Sequence, residues 1–591
     1  MFALNRRFTL LDSVRAPIQI APGRTCLYIT AVTAAALIPS AQVMAVAAFI
    51  AAVGSGSSLF LPALALFSLL ALRRVLTAAQ SFFKIGLNAA LRDSIRTAYF
   101  DKLSHLEYKH IESNHVQELI SRLYINRDST DCLDECFAES FASAMTLIGL
   151  LVQIVSLLSV VISYAPTIGI VLTACILPLL WVALRMGERD YGDAEAFRKQ
   201  SIASGNLGAM LVLRPAAMER FLFSFSEKLN RKWAQNYRVI ADNMVRICRH
   251  EYLAMTITAF AGTVFGMASL LGMAVATIYG RIEQAVFLAL ATGVLSLCAA
   301  LSSDALTDLA YKIAFDRHFY ENLTAFSALS ETEEKGHLDA PAEFETLEFR
   351  NVRFRYPGTE PYILDGVNLI ICRGKHYAFV GANGAGKTTV TKLILGLYDN
   401  YEGEILLNDR ELREYTAKAR RTLFAAVFQD FVHYEITLDE NIRLGKPEAS
   451  AEDIAAAVES AGLTETLAAL PEGGRTLLGK LRPGGTDLSG GQWQRIAMAR
   501  CAVNPAQVKI LDEPTAALDP IAESGVYERF DELSRGATTV FISHRLGSTS
   551  LADVIYVFEN GKVIESGSHI ELMKLQGRYC QMYESQRSWY L

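Results

Sequence analysis

Residues Gly381-Ala382-Asn383-Gly384-Ala385-Gly386-Lys387-Thr388-Thr389 fit the pattern G-x-x-x-x-G-K-[ST]. The chemistry such a loop performs is phosphate binding. Its glycines let successive backbone N–H groups turn inward onto phosphate oxygens. Lys387 adds a point charge at the β- and γ-phosphates, and Thr388 offers its hydroxyl to Mg²⁺. Further along, Val508-Lys509-Ile510-Leu511 runs into Asp512 and Glu513. An apolar strand ending in two carboxylates suits a Mg²⁺ site. Asp512 is placed to hold the hydrated metal, and Glu513 to orient or deprotonate an attacking water.

These residues need rigid elements to hold them. Phe379-Val380 closes a strand into the phosphate loop, and the helix expected over 390–397 points its positive end at the same anions. From residue 343 onward strands and helices alternate, the pattern of an α/β domain.

The first half is built differently. At 591 residues the chain exceeds one ordinary core. Its charged fraction of 20% is low, and the deficit lies in four windows without Asp, Glu, Lys or Arg: 25–72, 140–184, 252–280 and 284–303. A membrane helix needs about 20 apolar residues. The first two windows hold twice that and break at Gly54-Ser55-Gly56-Ser57-Ser58 and at Tyr164-Ala165-Pro166-Thr167, which read as hairpin turns. Six spans are expected, over 26–53, 58–80, 138–163, 167–187, 252–279 and 284–304. The apolar run 26–52 is too long for a signal peptide. Segments 80–136 and 185–250 carry the Lys and Arg, so positive-inside places them in the cytosol. Leu87, Leu91, Ile95 and Ala98 keep helical spacing there, which predicts helices continuing beyond the membrane. Arg73, Arg74, Asp304 and Asp308 are expected at the inner interface rather than in a substrate site. The expected division is a transmembrane domain over 1–325, a linker over 326–342 and a nucleotide-binding domain over 343–591. A net charge of −6 excludes a nucleic-acid polycation, and the nine cysteines are scattered with no C-x-x-C pair.

Leu488-Ser489-Gly490-Gly491-Gln492 resembles the signature of the ATP-binding-cassette (ABC) family. The family's other motifs follow in order. Tyr356 resembles the aromatic that stacks on adenine, Gln429 the Q-loop residue that senses Mg²⁺, Asp519 the D-loop aspartate, and His544 the switch histidine that contacts the γ-phosphate. As an isolated residue His544 reads as structural; its place in the ordered set reverses that. The whole chain resembles the type IV exporter architecture: a membrane all-α domain of six transmembrane helices with long cytosolic extensions, followed by an α/β P-loop nucleotide-binding domain. The resemblance implies two short coupling helices, near 113–119 and 213–221.

Two departures stand out. Exporters commonly carry an acidic segment before the signature, where this chain has Gly479-Lys480-Leu481-Arg482-Pro483-Gly484-Gly485. Altered pairing toward Glu112, Glu118 or Glu219 is expected. Residues 429–434 and 488–495 are similar to bacterial exporters of modified peptides, a hint at cargo. With roughly two dozen residues ahead of the first span, a leader-trimming protease is not expected.

The resemblance implies ATP and Mg²⁺ as cofactors, with ATP between the phosphate loop of one subunit and Ser489 and Gly491 of another. A second transporter subunit is therefore required. Intact Lys387, Gln429, Asp512, Glu513 and His544 favour a homodimer over a heterodimer. The implied function is ATP-driven export of a peptide, a drug-like molecule or a lipid from a bacterial cytoplasmic membrane. Partners are membrane lipid and the transported molecule, with no nucleic acid. An importer on the exporter fold and an ATP-gated channel or regulator are the alternatives.

Overall fold

The computed structural model describes residues 2–124, 133–212, 214–300, 303–332, 336–480, 484–513, 537–543 and 548–587. The chain forms two compact units. One contains Met1–His105 and Asn114–Leu329; the other contains Leu106–Ser113 and Ser330–Leu591.

The first unit is helical: α1 (Asp12–Ile20), α2 (Pro22–Ser55), α3 (Phe60–His105), α5 (Asn114–Tyr124), α6 (Leu133–Tyr164), α7 (Pro166–Val212), α8 (Arg214–Phe223), α9 (Ser226–Ile278), α10 (Gln284–Ala300) and α11 (Ser303–Ser327), with α4 (Tyr108–Ile111) belonging to the second unit. Helix α2 stops where Gly56 takes a left-handed φ of 66°, a conformation glycine adopts without steric cost. Helix α6 ends at Tyr164, and Pro166 opens α7, where its missing N–H costs nothing. Val43, Leu157, Ile176, Met273, Leu290 and Val294 form a buried apolar core between these helices. The outward surface is equally apolar, with Phe60, Phe67 and Phe82 exposed to 73%, 71% and 74%. Such a face suits lipid or a second protein surface, and not water. Among the described residues, five helices are long and apolar enough to cross a membrane; the sixth expected span, 284–304, is the shorter apolar helix Gln284–Cys298, with residues 301–302 outside those described.

The second unit holds two sheets and flanking helices. Its strands are β1 (Thr346–Phe354), β2 (Leu364–Cys372), β3 (His376–Gly381), β4 (Glu402–Leu407), β5 (Arg410–Glu411), β6 (Phe424–Val427), β7 (Val508–Asp512), β8 (Thr538–Ile542), β9 (Val554–Glu559) and β10 (Lys562–Gly567). Its helices after α4 are α12 (Lys387–Ile394), α13 (Ala417–Leu423), α14 (Leu438–Arg443), α15 (Ala451–Ser460), α16 (Thr464–Ala469), α17 (Gly490–Val503), α18 (His569–Leu575) and α19 (Arg578–Arg587). A four-stranded sheet runs β2-β1-β4-β5 and a six-stranded sheet runs β10-β9-β3-β8-β7-β6. In the larger sheet β3 pairs in parallel with β8 and β9, and β7 with β6 and β8. Every residue of β7 and β8 is buried, as expected for central strands of a parallel sheet covered on both faces. The carboxyl ends of β3 and β7 thus open side by side on either side of β8, where ligands bind in such sheets.

Two expectations are corrected. The segment that belongs to the second unit is Leu106–Ser113, not 113–119. Tyr108 and Glu112 supply an aromatic ring and a carboxylate that meet Tyr398 and Lys392, whereas residues 114–119 continue as α5 in the helical unit. Within the second unit, the pre-signature Lys480 does not pair with Glu112. Lys480 pairs locally with Asp487, while Glu112 takes Lys392 and Glu118 takes Arg122 at 2.7 Å. Arg482 lies outside the described residues.

Where α7 passes α11, Gly187 lies so close that an added Cβ would fall 2.4 Å from the Ala310 carbonyl carbon. Backbone cannot yield as a flexible side chain can. Gly187→Ala is expected to cost about 1–3 kcal/mol and to lower the melting temperature of the full chain in detergent. An unchanged melting temperature counts against this close packing.

Candidate functional site

The phosphate loop joins β3 to α12. Gly381 ends β3, Gly384 has φ 80° and Gly386 has φ 100°, where it N-caps α12. At Gly386 a Cβ would lie 2.6 Å from Leu364 Cδ2, so both backbone angle and space require glycine. Ala382, Asn383 and Ala385 complete the turn, with the Ala385 N–H donating to the Ala382 carbonyl at 3.2 Å. Lys387, Thr388 and Thr389 form the first turn of α12, with its unpaired N–H groups and positive dipole end.

Lys387 is buried, and its ammonium donates to the carbonyls of Gly381 and Ala382, each at 2.9 Å. Burial pulls its pKa below the ordinary lysine value, while Glu513 and Asp512 work against that. The loop thus parks a cation beside the place a phosphate takes. Asp512, the last residue of β7, is 2% exposed. Burial pushes its carboxyl up to about 6, opposed by a hydrogen bond from Thr388 and reinforced by the nearby Glu513. Among the described residues, Asp512 Oδ1 has no hydrogen-bond partner. A buried carboxylate oxygen left unsatisfied is costly, and a hard divalent cation is the partner it fits. The residues present therefore suit Mg²⁺: the Thr388 hydroxyl, the Asp512 carboxylate and the Gln429 amide.

Glu513 follows with φ 48°. A non-glycine residue in the left-handed region costs about 1–3 kcal/mol and persists where the surroundings overdetermine it. Here its N–H donates to the Ile542 carbonyl at 3.0 Å, and its own carbonyl accepts from Gln494 Nε2 at 3.4 Å. Its carboxylate accepts from Gln429 Nε2 at 3.3 Å. Tyr356 is joined to the same helix, its hydroxyl 3.1 Å from Thr389 Oγ1.

The structure therefore gathers the phosphate loop, Lys387, Thr388, Thr389, Asp512, Glu513, Gln429 and Tyr356 around β3, β7 and α12. Ser489 and Gln492 form a different local structure, a capping box at the start of α17: the Ser489 N–H donates to Gln492 Oε1 at 2.8 Å, and the Gln492 N–H to Ser489 Oγ at 3.3 Å. Gly490 and Gly491 open that helix. Among the described residues, no hydrogen bond or ion pair joins Ser489–Gln492 to the phosphate loop. Asp519 and His544 lie outside the described residues. Sequence reasoning missed Gln494 and Lys392. Gln494 is a buried polar residue two positions beyond the signature. Lys392 lies five residues after Lys387 on the same helix, a spacing that carries no signal without the fold.

A phosphate loop between strand and helix, with acidic residues at the end of a neighbouring parallel strand, defines a P-loop nucleotide-binding domain. The family model "ABC transporter" matches residues 364–516. The "ATP-dependent lipid A-core flippase" of Thiobacillus denitrificans is 30% identical over 538 residues, covering 89% of each chain. The "Subtilin transport ATP-binding protein SpaT" of Bacillus subtilis is 30% identical over 441 residues, covering 74% of this chain and 71% of that one. Other curated relatives match 40–46% of this chain, which spans only 18–21% of their own length. Among solved structures, one described as a bacterial Atm1-family ABC exporter with ATP bound superposes with a TM-score of 0.77 at 23% identity, covering 96% of this chain and 99% of that one. The chain belongs to the ABC transporter family, and its fold is that of an exporter: apolar membrane helices followed by an α/β ATP-binding domain. Members of this family couple an ATPase to transport.

The raised Asp512 carboxyl has a sign that can be tested. A folded-state value above the unfolded one favours the folded chain below about pH 4, and that contribution is lost as pH rises through about 6. Without metal, Asp512→Asn should stabilise the fold at pH 7.5 by up to about 3 kcal/mol, read as a higher melting temperature, and leave it unchanged at pH 4. Mg²⁺ with ATP should stabilise the native chain and not the variant. Equal melting temperatures at pH 7.5 would contradict the burial of an uncompensated charge.

Proposed function

We propose that this chain is one half of a dimeric exporter that uses ATP binding and hydrolysis to move a lipid, peptide or drug-like molecule out across a bacterial cytoplasmic membrane. The supporting observation is the split between the two motif sets. Lys387, Thr388, Asp512, Glu513 and Gln429 converge in one cluster, yet among the described residues the signature residues make no hydrogen bond or ion pair to the phosphate loop. A nucleotide held by that cluster still needs Ser489 and Gly491 from a second subunit. Two copies of this chain supply both sites, so a homodimer is favoured.

In this reading Tyr356 stacks on adenine, and residues 381–389 cradle the phosphates with Lys387 at the β/γ position. Thr388, Gln429 and Asp512 hold Mg²⁺, which when bound neutralises charge on the phosphates. Glu513 orients the attacking water, a role for which its rigid, strained backbone and its bond to Gln429 are suited. Asp519 and His544 complete the site. Residues 1–325 form six membrane spans and residues 343–591 the ATPase. The cargo range rests on the relatives: one is named a lipid A-core flippase and another a subtilin transport protein.

Two measurements test this. In liposomes, Glu513→Gln should abolish ATP-driven directional flux and lower turnover by at least about a hundredfold, while ATP still binds; near-normal transport would remove Glu513 from its role. Co-assembling Lys387→Ala with Ser489→Ala subunits should recover activity that neither variant has alone, because one composite site then pairs two intact halves. No recovery in verified mixed dimers would argue that each chain completes its own site.

A further inference from the structure

Tyr356 is held by more than its neighbours in sequence. Its ring lies edge-on to Phe354 and Tyr398, with centroids 5.1 and 5.5 Å away. Lys392 Nζ stands over that ring at 5.3 Å from the centroid and over the Tyr108 ring at 5.7 Å. The same ammonium donates to Glu112 Oε1 at 2.7 Å, and the Tyr398 hydroxyl donates to Glu112 Oε2. Tyr108 in turn lies edge-on to Tyr398 at 5.7 Å. With its side chain only 16% exposed, Lys392 is not an ordinary solvated surface charge. Burial opposes the charge on both partners, but the hydrogen bonds prevail. Those from Lys392 and Tyr398 hold the Glu112 carboxyl below its ordinary value, and that to Glu112 holds the Lys392 ammonium above its own.

One short helix therefore does three things. The amino end of α12 carries Lys387 and Thr388. Thr389 on it meets the Tyr356 hydroxyl, and Lys392 joins the Tyr356 ring to segment 106–113. A ring with a cation over one face, its hydroxyl engaged and its edges packed has lost its rotational freedom. That leaves the opposite face as a platform whose ordering cost has already been met, and preorganisation of this kind appears in affinity rather than in turnover.

We propose that Lys392 is a positioning residue for nucleotide binding, and that through its ion pair with Glu112 the conformation of segment 106–113 sets how well Tyr356 receives a base. This rests on the reading of Tyr356 as the adenine contact. Glu112 is the lever: with the carboxylate in place, Lys392 stays over the ring; without it, the long, flexible stem is free to turn to water. Segment 106–113 lies in the chain between α3 and α5 of the helical unit, so a change there has a direct covalent route to the nucleotide platform.

The test uses the full chain in lipid. ATPase KM and kcat are measured for Lys392→Met, Lys392→Arg, Glu112→Gln, Tyr356→Ala and the double variant Lys392→Met/Tyr356→Ala. Displacement of a fluorescent nucleotide is measured with ATP and with inorganic tripolyphosphate, which has no base. Lys392→Met should raise KM for ATP by about three- to tenfold with kcat held within about twofold. Glu112→Gln should shift KM in the same direction by less, and Lys392→Arg should restore most of the loss. The double variant should match Tyr356→Ala alone, and tripolyphosphate affinity should not move in any of them. An unchanged KM in Lys392→Met overturns the proposal, as does full additivity with Tyr356→Ala or an equal loss of tripolyphosphate binding. If Tyr356→Ala itself leaves ATP affinity unchanged, it is the stacking role that fails, a result told apart because it appears in that single variant.

Discussion

Burying charge next to charge is the constraint on which the nucleotide site turns. Asp512 and Glu513 sit at the end of a strand buried along its whole length, beside a lysine that is itself buried. None of these groups can be fully solvated there, so each must be satisfied by the fold or by what the fold binds. Lys387 borrows two loop carbonyls. Glu513 takes Gln429. Asp512 keeps one oxygen unmatched. A site in this condition is poised for a polyanion and a hard cation arriving together, since the pair satisfies the leftover donors and acceptors at once. Every element of the second unit can be understood as scaffolding for that imbalance: parallel strands to aim the carboxylates, a helix start to aim N–H groups, glycines where the backbone must come close.

The helical unit answers a different demand. Its helices bury one apolar face against each other and leave another apolar face outward, which is tolerable only where water is absent. Close approach at Gly187 shows that the bundle is packed by backbone proximity as well as by large side chains, a means of association that does not need hydrophobic driving force.

Much of this was legible in the residues. The phosphate loop is local: its glycine spacing, its lysine and the first turn of its following helix occupy nine consecutive positions, so no tertiary knowledge is needed. The turns at Gly56 and Pro166 are local in the same sense, each dictated by a backbone preference of one residue. What could not be read depended on distance along the chain. The packed segment at 106–113 lies upstream of the expected 113–119 because its identity rests on Tyr108 and Glu112 meeting Lys392 and Tyr398, and neither end of that contact announces itself alone. The pairing of Lys480 with Asp487 likewise follows from a local turn. The left-handed Glu513 is invisible to propensity, since glutamate gives no hint of such a backbone.

The membership of residues 106–113 in the second unit also fixes an order of events during synthesis. Glu112 leaves the ribosome 280 residues ahead of its partner Lys392. At roughly 5–20 residues per second, that separation corresponds to a wait on the order of tens of seconds. For that interval α3 and α5 are made but the peptide between them has no surface to rest on, so its carboxylate and tyrosine face water. The helical unit is therefore not finished as an early domain; the stretch that links α3 to α5 stays an open seam until Ser330–Leu591 has folded.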